Sequence, residues 1–415
     1  MNKDKKYWFY IEPYVYISLK DETVLLLNTL DNNILTSIDE EVITLIKSIF
    51  EPQNCGVTLL DSQHITSDKI THFIENLQKK YMGDIIEFET IEQKPIQLLP
   101  YINIQKDIKP SETGVNFTGD SLLSYLTELT IYINTECKQN CSYCCSYNLQ
   151  FNHCCKSNNK NIELNIQLIK NILSMIKVSP ICQINILGGD ITLYKDLKSL
   201  IEILQPYKNH LSFNMHYKNI QNIQNTALEF YKNKKQLLIN IDFPIDNEEI
   251  NRCFKIAGKQ CTYSFIIKDT KEYFKAQSII EKYELDSYQI IPFYKNTNID
   301  FFKKNVFLNE FDIIETATYE QIMRNKKVNS IFFGNLLIES DGNVKSCKNE
   351  VTLGNIKKQS ILELLNIEVN RSDSMWLKIR DEEPCCNCVY QFLCPPPSNY
   401  EIVLNKKNLC NIIQQ

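Results

Sequence analysis

Three closely spaced cysteines, Cys137, Cys141 and Cys144, are the residues of this 415-residue chain best suited to chemistry. They form a C-x3-C-x2-C loop that directly follows the apolar, β-rich run 126–133. Four-iron clusters are held by cysteine thiolates, and an ordinary electron-transfer cluster takes four of them. A loop that supplies three thiolates leaves one iron without a protein ligand. The spacing therefore predicts a metal cluster with one position open to a small chelating molecule.

A structural zinc site is the alternative interpretation of the same loop. Zinc takes four ligands, and Cys145, Cys154 or Cys155 could supply the fourth. The chain has 16 cysteines, grouped at ligand-like spacings, and no visible N-terminal signal peptide. These features favour metal clusters in a reducing cytoplasm over secreted disulfides.

Length indicates the number of domains, and charge and hydrophobicity limit the kinds of partner. A chain of 415 residues is too long for one ordinary core, so about three domains are expected. The net charge of −5 gives no indication of a nucleic-acid partner. No run approaches 18 apolar residues, so no membrane span is predicted.

A repeated strand–helix pattern must position the cysteine loop. Six strand-like runs alternate with stretches that carry apolar residues at helical spacing, which predicts a parallel α/β sheet. Six units are too few for a closed eight-fold barrel, so an open, partial (βα)6 barrel is expected. The strands are predicted at 126–134, 182–187, 211–217, 236–243, 261–267 and 287–293. Ligands of such sheets bind at the carboxyl ends of the strands, where the loop would lie.

Polar and glycine residues end three of these predicted strands. Gly188 and Gly189, followed by Asp190, are the only Gly-Gly pair among ten glycines, and glycine permits close backbone approach to a ligand. Asn214 and Asp242 are polar residues near the ends of the third and fourth strands. Each is a candidate for a ribose or carboxylate contact, or a strand-end polar group with its own protein partner.

The cysteine loop, with Tyr143 before its last cysteine, resembles the radical S-adenosylmethionine (SAM) superfamily. The resemblance implies that the amino and carboxyl groups of SAM occupy the open iron. The reduced cluster then cleaves SAM to a 5′-deoxyadenosyl radical that abstracts a hydrogen atom. The family carries a Gly-Gly-Glu turn for the amino group of SAM, and Asp190 is a shorter carboxylate at that place. The cofactor-binding residues that follow are Tyr143, Gly188, Gly189, Asp190, Asn214 and Asp242.

A second cysteine-rich stretch follows a predicted hairpin over 334–347, whose turn is Asp341-Gly342. This tail resembles the SPASM extension of peptide-modifying radical SAM enzymes, which normally uses seven cysteines for two auxiliary clusters. Here Ser398 stands where one cysteine is expected, and no cysteine precedes Gly342 in the expected window, which leaves Cys347 without a cluster to ligate. Cys386 is expected to be a bystander. The resemblance implies one auxiliary [4Fe-4S] cluster, with structural zinc as the alternative for the same ligands. Those ligands are Cys385, Cys388, Cys394 and Cys410.

The front of the chain has a pattern of its own. Short strands predicted over 14–18, 23–28 and 33–36 precede a helix opened by a capping box from Ser37 to Glu40, and a further helix starts at Ser67. This pattern resembles the winged-helix-like recognition element of enzymes that mature ribosomal peptides. The resemblance implies that a precursor leader joins a small sheet as an extra strand. A plain capping or dimerisation domain is the alternative.

The sequence as a whole predicts a radical SAM enzyme that modifies a ribosomally synthesised precursor peptide. Its expected partners are that peptide and an external electron donor. The product stays open, because thioether formation, crosslinking and epimerisation begin with the same hydrogen abstraction. The alternative is a catalytically inactive companion that keeps the fold and binds peptide. The predicted domains are 1–92 (peptide recognition), 93–125 (linker), 126–325 (partial barrel) and 326–415 (SPASM-like extension).

Overall fold

A computed structural model gives the architecture of most of the chain. It describes residues 5–90, 93–98, 120–139, 141, 144, 150–155, 161–223, 226, 228, 231, 235–349 and 351–412. No disulfide joins the cysteines within these ranges. None of the helices described there combines the length and apolar character of a bilayer span.

Two small antiparallel sheets form the front module, residues 5–90. In one, β1 lies between β5 and β6, and in the other, β2, β3 and β4 form a meander. The strands are β1 Tyr7–Ile11, β2 Val15–Lys20, β3 Thr23–Asn28, β4 Ile34–Ser37, β5 Val57–Leu60 and β6 Gly83–Glu87. The helices are α1 Glu40–Ile49, α2 Ser62–Thr66 and α3 Asp68–Lys79. Apolar side chains of both sheets and of these helices share one core, which includes Phe9, Leu26 and Ile46.

The starts of α1 and α3 show one wrong prediction and one correct one. Asp39, and not Ser37, caps α1, because the Asp39 side chain accepts a hydrogen bond from the Glu41 amide. Ser37 instead remains in β4 and accepts a hydrogen bond from the Asp39 amide at 3.1 Å. The helix predicted to start at Ser67 is α3, which begins at Asp68, and Ser67 caps it by accepting a bond from the Ile70 amide.

Six parallel strands, paired in chain order, form the middle of the molecule. This arrangement confirms the predicted alternation of strands and helices. The strands are β7 Glu128–Tyr132, β8 Gln183–Leu187, β9 Leu211–His216, β10 Leu237–Asp242, β11 Thr262–Ile267 and β12 Tyr288–Pro292. The helices of this region are α4 Asp120–Leu123, α5 Ile166–Met175, α6 Leu197–Leu204, α7 Asn247–Ala257 and α8 Thr270–Tyr283. Isoleucines and leucines of the strands pack against the helices in one large core.

The predicted hairpin extends this same sheet. β13 Asn335–Ile338 pairs in parallel with β7 and antiparallel with β14 Asn343–Lys345, and β15 Gly354–Asn355 follows. Gly342 holds the hairpin turn with a φ of +95°, a left-handed conformation that favours glycine. The sheet therefore continues across the predicted boundary between residues 325 and 326.

The C-terminal region after β12 contains five α-helices in its described residues and packs against the front module. These helices are α9 Ile299–Asn305, α10 Glu310–Glu315, α11 Tyr319–Asn325, α12 Ile361–Asn370 and α13 Asn399–Leu404. Tyr16, Leu25 and Leu27 of the β2–β4 meander share an apolar cluster with α10, α11 and the tail, including Cys394. Lys20 adds hydrogen bonds to the Cys386 carbonyl at 2.6 Å and to the Gln391 side chain at 2.7 Å. The front meander is thus buried against the cysteine-rich tail.

Candidate iron–sulfur and SAM site

The cysteine loop begins just beyond β7, beside the Gly-Gly turn that follows β8. The Gly189 amide donates to the Asn134 carbonyl at 3.1 Å, and the Asp190 amide donates to the Glu136 carbonyl at 2.6 Å. A Cβ on Gly189 would lie 2.2 Å from the Glu136 carbonyl oxygen. Gly189 therefore permits close contact between the turn and the chain that leads into Cys137.

Polar groups of the protein surround the sulfur of Cys137. The Gln139 amide donates to it at 3.4 Å, and the Asn219 side chain donates at 3.7 Å. Burial raises the pKa of the Cys137 thiol, and these two donors act in the opposite direction. The hydrogen bonds favour a thiolate, which is the form that ligates iron.

Cys141 lies near a buried histidine that the sequence did not single out. His216 is 2% exposed, and its Nε2 lies 2.8 Å from Oδ1 of Asp242. Burial lowers the pKa of His216, but hydrogen bonds with Asp242 and with Cys141 outweigh burial and raise this pKa to about 9. Asp242, a predicted cofactor contact, is therefore engaged by His216.

Two further cysteines lie beside the loop. The sulfurs of Cys144 and Cys155 are 4.0 Å apart. The Cys154 amide donates to Oδ1 of Asn214 at 2.8 Å, and the same oxygen accepts from Asn240 at 2.6 Å. Asn214, another predicted cofactor contact, thus holds the segment that brings the two extra thiols to the site.

The carboxylate of Asp190 is enclosed by its own turn. The residue is 1% exposed. Its Oδ1 accepts from the Thr192 amide at 3.0 Å and from the Thr192 hydroxyl at 2.6 Å, and its Oδ2 accepts from Asn222 at 2.9 Å. The structure therefore gives this carboxylate a bracing role, while its predicted contact with SAM is untested. Tyr143, also predicted to bind the cofactor, lies outside the described residues.

A lysine from the C-terminal hairpin reaches the same edge of the sheet. Lys348 Nζ lies 3.7 Å from the centre of the Tyr132 ring, at the carboxyl end of β7. Burial lowers the pKa of Lys348, while nearby Cys155 and Glu339 oppose that effect. The hairpin thus places an ammonium group beside the cysteine loop.

The tail brings its four predicted ligands together. Cys385, Cys388, Cys394 and Cys410 line one cavity, closed partly by Leu308. Cys347 does not line this cavity and packs instead in the core of the large sheet. Ser398 precedes α13 as its N-terminal cap. The assignment of the four cysteines as ligands stays a prediction.

Hydrogen-bond donors point at three of these sulfurs. Arg380 Nη1 lies 3.7 Å from the Cys385 sulfur, the Tyr390 amide lies 3.4 Å from Cys388, and Asn408 Nδ2 lies 3.6 Å from Cys410. Burial raises the pKa of Cys394 to about 12, although Arg380 acts against this rise. Four thiols around one cavity, with donors to their sulfurs, fit an iron–sulfur cluster.

Arg380 is itself held by a buried ion pair. Its Nη2 lies 2.8 Å from Oε1 of Glu401, and the two side chains are 7% and 4% exposed. Arg380 Nε also donates to the Pro395 carbonyl at 2.5 Å, while the Ser398 amide donates to Glu401 at 2.6 Å. The pair therefore fixes the chain on both sides of Cys385 and Cys394.

A single metal ion finds no comparable set of ligands. Across the ranges that the structure describes, no three His, Cys, Asp or Glu side chains are arranged to hold one ion.

Sequence reasoning missed the residues that support both sets of cysteines. His216, Asn219 and Asn240 are buried polar residues on or just after β9 and β10. Their position near strand ends was the available signal, the same one that singled out Asn214. Arg380 and Glu401 gave no such signal, because their pairing depends on the fold of the tail.

Comparisons with known proteins match part of the cysteine-rich tail and about half of the chain. Residues 330–389 match the family model for SPASM, described as an iron–sulfur cluster-binding domain. The 7-carboxy-7-deazaguanine synthase of Clostridium acetobutylicum is 23% identical over 228 residues, which cover 54% of this chain and 90% of that protein.

Solved structures of another protein align with nearly the whole chain. A crystal structure of Streptococcus suis SuiB bound to precursor peptide SuiA aligns with a TM-score of 0.48 and 14% identity, covering 98% of this chain and all of that one. SuiB bound to S-adenosylmethionine aligns with a TM-score of 0.41 and 12% identity, covering 97% of this chain and 99% of that one.

The chain therefore carries a SPASM domain on an α/β fold, and the resemblance to radical SAM/SPASM proteins that the sequence predicts is confirmed. The SPASM match supports an iron–sulfur cluster as a cofactor of this chain.

Proposed function

We propose that this protein is a radical SAM enzyme that modifies a ribosomally made peptide by hydrogen-atom abstraction. One observation carries the proposal: the three-cysteine loop and the Gly-Gly turn meet at the carboxyl end of a parallel sheet. That edge is where open α/β sheets bind ligands. We interpret the six parallel strands as an open partial barrel. We also propose that the enzyme has the four domains predicted from the sequence.

In this proposal, Cys137, Cys141 and Cys144 hold the catalytic [4Fe-4S] cluster, which supplies the electron that cleaves SAM. Gly188 and Gly189 are proposed to bind the amino group of SAM through their backbone. Asp190 keeps the turn in shape through Thr192 and Asn222. Buried His216 and Asp242 form one polar wall of the site, and Lys348 lies beside the loop from the side of the tail.

The front module is proposed to bind the leader of the precursor peptide. β4 forms one edge of its meander, and an edge strand offers main-chain groups to an added strand. Two large apolar side chains flank β4 and are open to solvent: Leu30 is 73% exposed and Ile38 is 82% exposed. Apolar side chains beside an open strand edge suit an extended peptide with its own apolar residues.

Anaerobic reconstitution followed by SAM turnover tests the enzyme proposal. The loaded protein is expected to hold about eight irons, for two four-iron clusters, and to release 5′-deoxyadenosine when reduced with SAM. Replacing Cys137, Cys141 or Cys144 by alanine should abolish the release. Cys182→Ala is the matched control, because Cys182 is exposed and lies just before the amino end of β8. Release that survives all three loop substitutions would contradict the assignment.

The same preparation tests the ligands of the tail. Alanine at Cys385, Cys388, Cys394 or Cys410 should remove about four irons, whereas Cys347→Ala should remove none. About twelve irons in the unmodified protein would require a third cluster, and the proposed ligand set would then be wrong.

A catalytically inactive companion is the second candidate. The enclosed carboxylate of Asp190, where the family has a longer glutamate, is the observation in its favour. The discriminating measurement is SAM turnover with and without the cognate precursor peptide. Turnover that depends on the peptide excludes a pure scaffold, and mass spectrometry of the peptide then shows which product forms.

A further inference from the structure

A surface cleft of about 490 Å³ lies on the far side of one proposed cluster ligand. Cys385 lines this cleft as well as the cavity shared by the four tail cysteines. The Cys385 sulfur also lies 3.9 Å from the Lys407 carbonyl, on the wall of the cleft. Cys385 therefore lies between the cluster cavity and the cleft, together with Arg380, which lines both.

The cleft is basic, although the chain as a whole is acidic. Lys378, Arg380, Lys406 and Lys407 line it, together with only two carboxylates, Glu382 and Glu401. Four cations against two anions give the cleft an excess of two positive charges, whereas the whole chain carries −5. Such local charge attracts an oppositely charged partner and orients it as it approaches.

The charges divide into a buried pair and an exposed rim. Arg380 and Glu401 neutralise each other at the bottom of the cleft, where both side chains are buried. At the rim, Lys407 lies 3.3 Å from Glu382, and both side chains remain more than half exposed. Among the side chains that line the cleft, the rim lysines outnumber this one rim carboxylate.

We propose that this cleft, named here the Lys378 cleft, is the docking surface of a small acidic electron-transfer protein. The inference rests on the proposed function, because reductive cleavage of SAM requires one electron from outside the chain. In each transfer the donor is oxidised by one electron and the iron–sulfur group of the tail is reduced by one, and no bond forms or breaks. Docking in the cleft brings the donor next to Cys385.

Binding of a flavodoxin to the reconstituted protein tests the proposal directly. At low ionic strength, the double substitution Lys378→Glu and Lys407→Glu should weaken the dissociation constant by about tenfold or more, because it reverses two charges of the rim. The binding of the unmodified protein should weaken steeply with added salt, and the variant should lose most of that dependence.

A matched control distinguishes the effect of the charges in the cleft from the effect of the net charge of the protein. Lys271→Glu with Lys275→Glu makes the same charge change on α8, where both lysines are exposed. This control should bind flavodoxin within about twofold of the unmodified protein. Equal weakening in both variants, or no weakening in the cleft variant, would overturn the proposal.

Chemical reduction keeps this test independent of the enzyme proposal. With dithionite as the reductant, the cleft variant should retain its iron and release 5′-deoxyadenosine at the unmodified rate. With reduced flavodoxin, it should release the nucleoside more slowly. Failure of every protein with dithionite would refute the proposed function, yet the binding measurements would still decide whether the cleft docks an acidic donor.

Discussion

The buried pair of Arg380 and Glu401 should support the stability of the cysteine-rich tail. We expect Arg380→Met to remove the cation that faces a carboxylate only 4% exposed. Breaking one side of a buried pair typically costs about 3–5 kcal/mol, because the remaining charge stays buried without compensation. The variant also loses the hydrogen bond to the Pro395 carbonyl, which is worth about 1 kcal/mol. A loss of at least about 3 kcal/mol in the free energy of unfolding is therefore expected.

A double-mutant cycle isolates the pair. Glu401→Met alone should also destabilise the protein, but Arg380→Met combined with Glu401→Met leaves no unpaired buried charge. The double variant should therefore be more stable than the sum of the single losses predicts, by about 2 kcal/mol or more. Arg252→Met is the control, since Arg252 pairs with Glu249 at 3.1 Å on an exposed helix surface. An exposed pair of this kind contributes about 1 kcal/mol or less.

Urea unfolding under anaerobic conditions measures these differences. Trp376 is fully buried and donates to the Asn335 carbonyl at 3.0 Å, so its fluorescence reports the C-terminal region. A Trp8→Phe background removes the other tryptophan. Iron content is the second readout, because Arg380 lies 3.7 Å from the Cys385 sulfur and its loss should weaken cluster retention. The reasoning would be refuted if Arg380→Met lowered the free energy of unfolding no more than Arg252→Met does. Strictly additive losses in the double-mutant cycle would refute it as well.

Three further predictions follow from other buried positions. Gly189→Ala should reduce the iron content from about eight to about four irons per chain. The added Cβ would lie 2.2 Å from the Glu136 carbonyl oxygen and would displace the cysteine loop. A full iron content in this variant would contradict the prediction. Burial raises the pKa of Glu368 above its ordinary value of 4.5, so the folded state holds the proton more tightly and its stability falls as pH rises above about 4.5. Between about pH 5 and 8, the melting temperature of Glu368→Gln should therefore fall less with rising pH than that of the unmodified protein. Parallel curves of melting temperature against pH would contradict this prediction. Leu25→Ala should cost about 2–5 kcal/mol in urea unfolding and lower iron retention, since Leu25 is fully buried against the tail; unchanged iron content would show that the front sheet does not support the tail.

Local patterns were sufficient to predict the middle of the chain. Each parallel strand is a short apolar run between helical segments, and sequential strands pair side by side, so the order of the sheet followed directly. The sheet of β5, β1 and β6 was not predicted, because β1 pairs with segments far along the chain. Such pairing is decided by tertiary contacts and leaves no periodic signal around Tyr7–Ile11.

Capping residues explain the error at the start of α1. Ser37 and Asp39 can both cap a helix, and the S-x-x-E pattern favoured Ser37. Pairing of Ser37 with Val24 holds it in β4, so the helix starts later and Asp39 becomes the cap.

The two groups of cysteines differ in what sequence could reveal. Spacing and resemblance were enough to predict which tail cysteines would face one cavity. They could not predict the residues that point at the sulfurs, since Arg380, Asn408 and Asn219 reach them only through the folded chain. The same is true of Cys155, whose approach to Cys144 depends on the Cys154 amide donating to Asn214 and on the Cys155 amide donating to the Gly188 carbonyl.

The packing of the front meander against the tail has a consequence for synthesis on the ribosome. Tyr16, Leu25 and Leu27 are made first, and the side chains that cover them, such as Ile313 and Leu393, are made much later. Until then this apolar face is open to solvent and to other unfinished chains, a condition that favours aggregation. Covering this face requires contacts between segments far apart along the chain, and such long-range contacts form slowly. A host that expresses this protein should yield more of it at low temperature or with abundant chaperones.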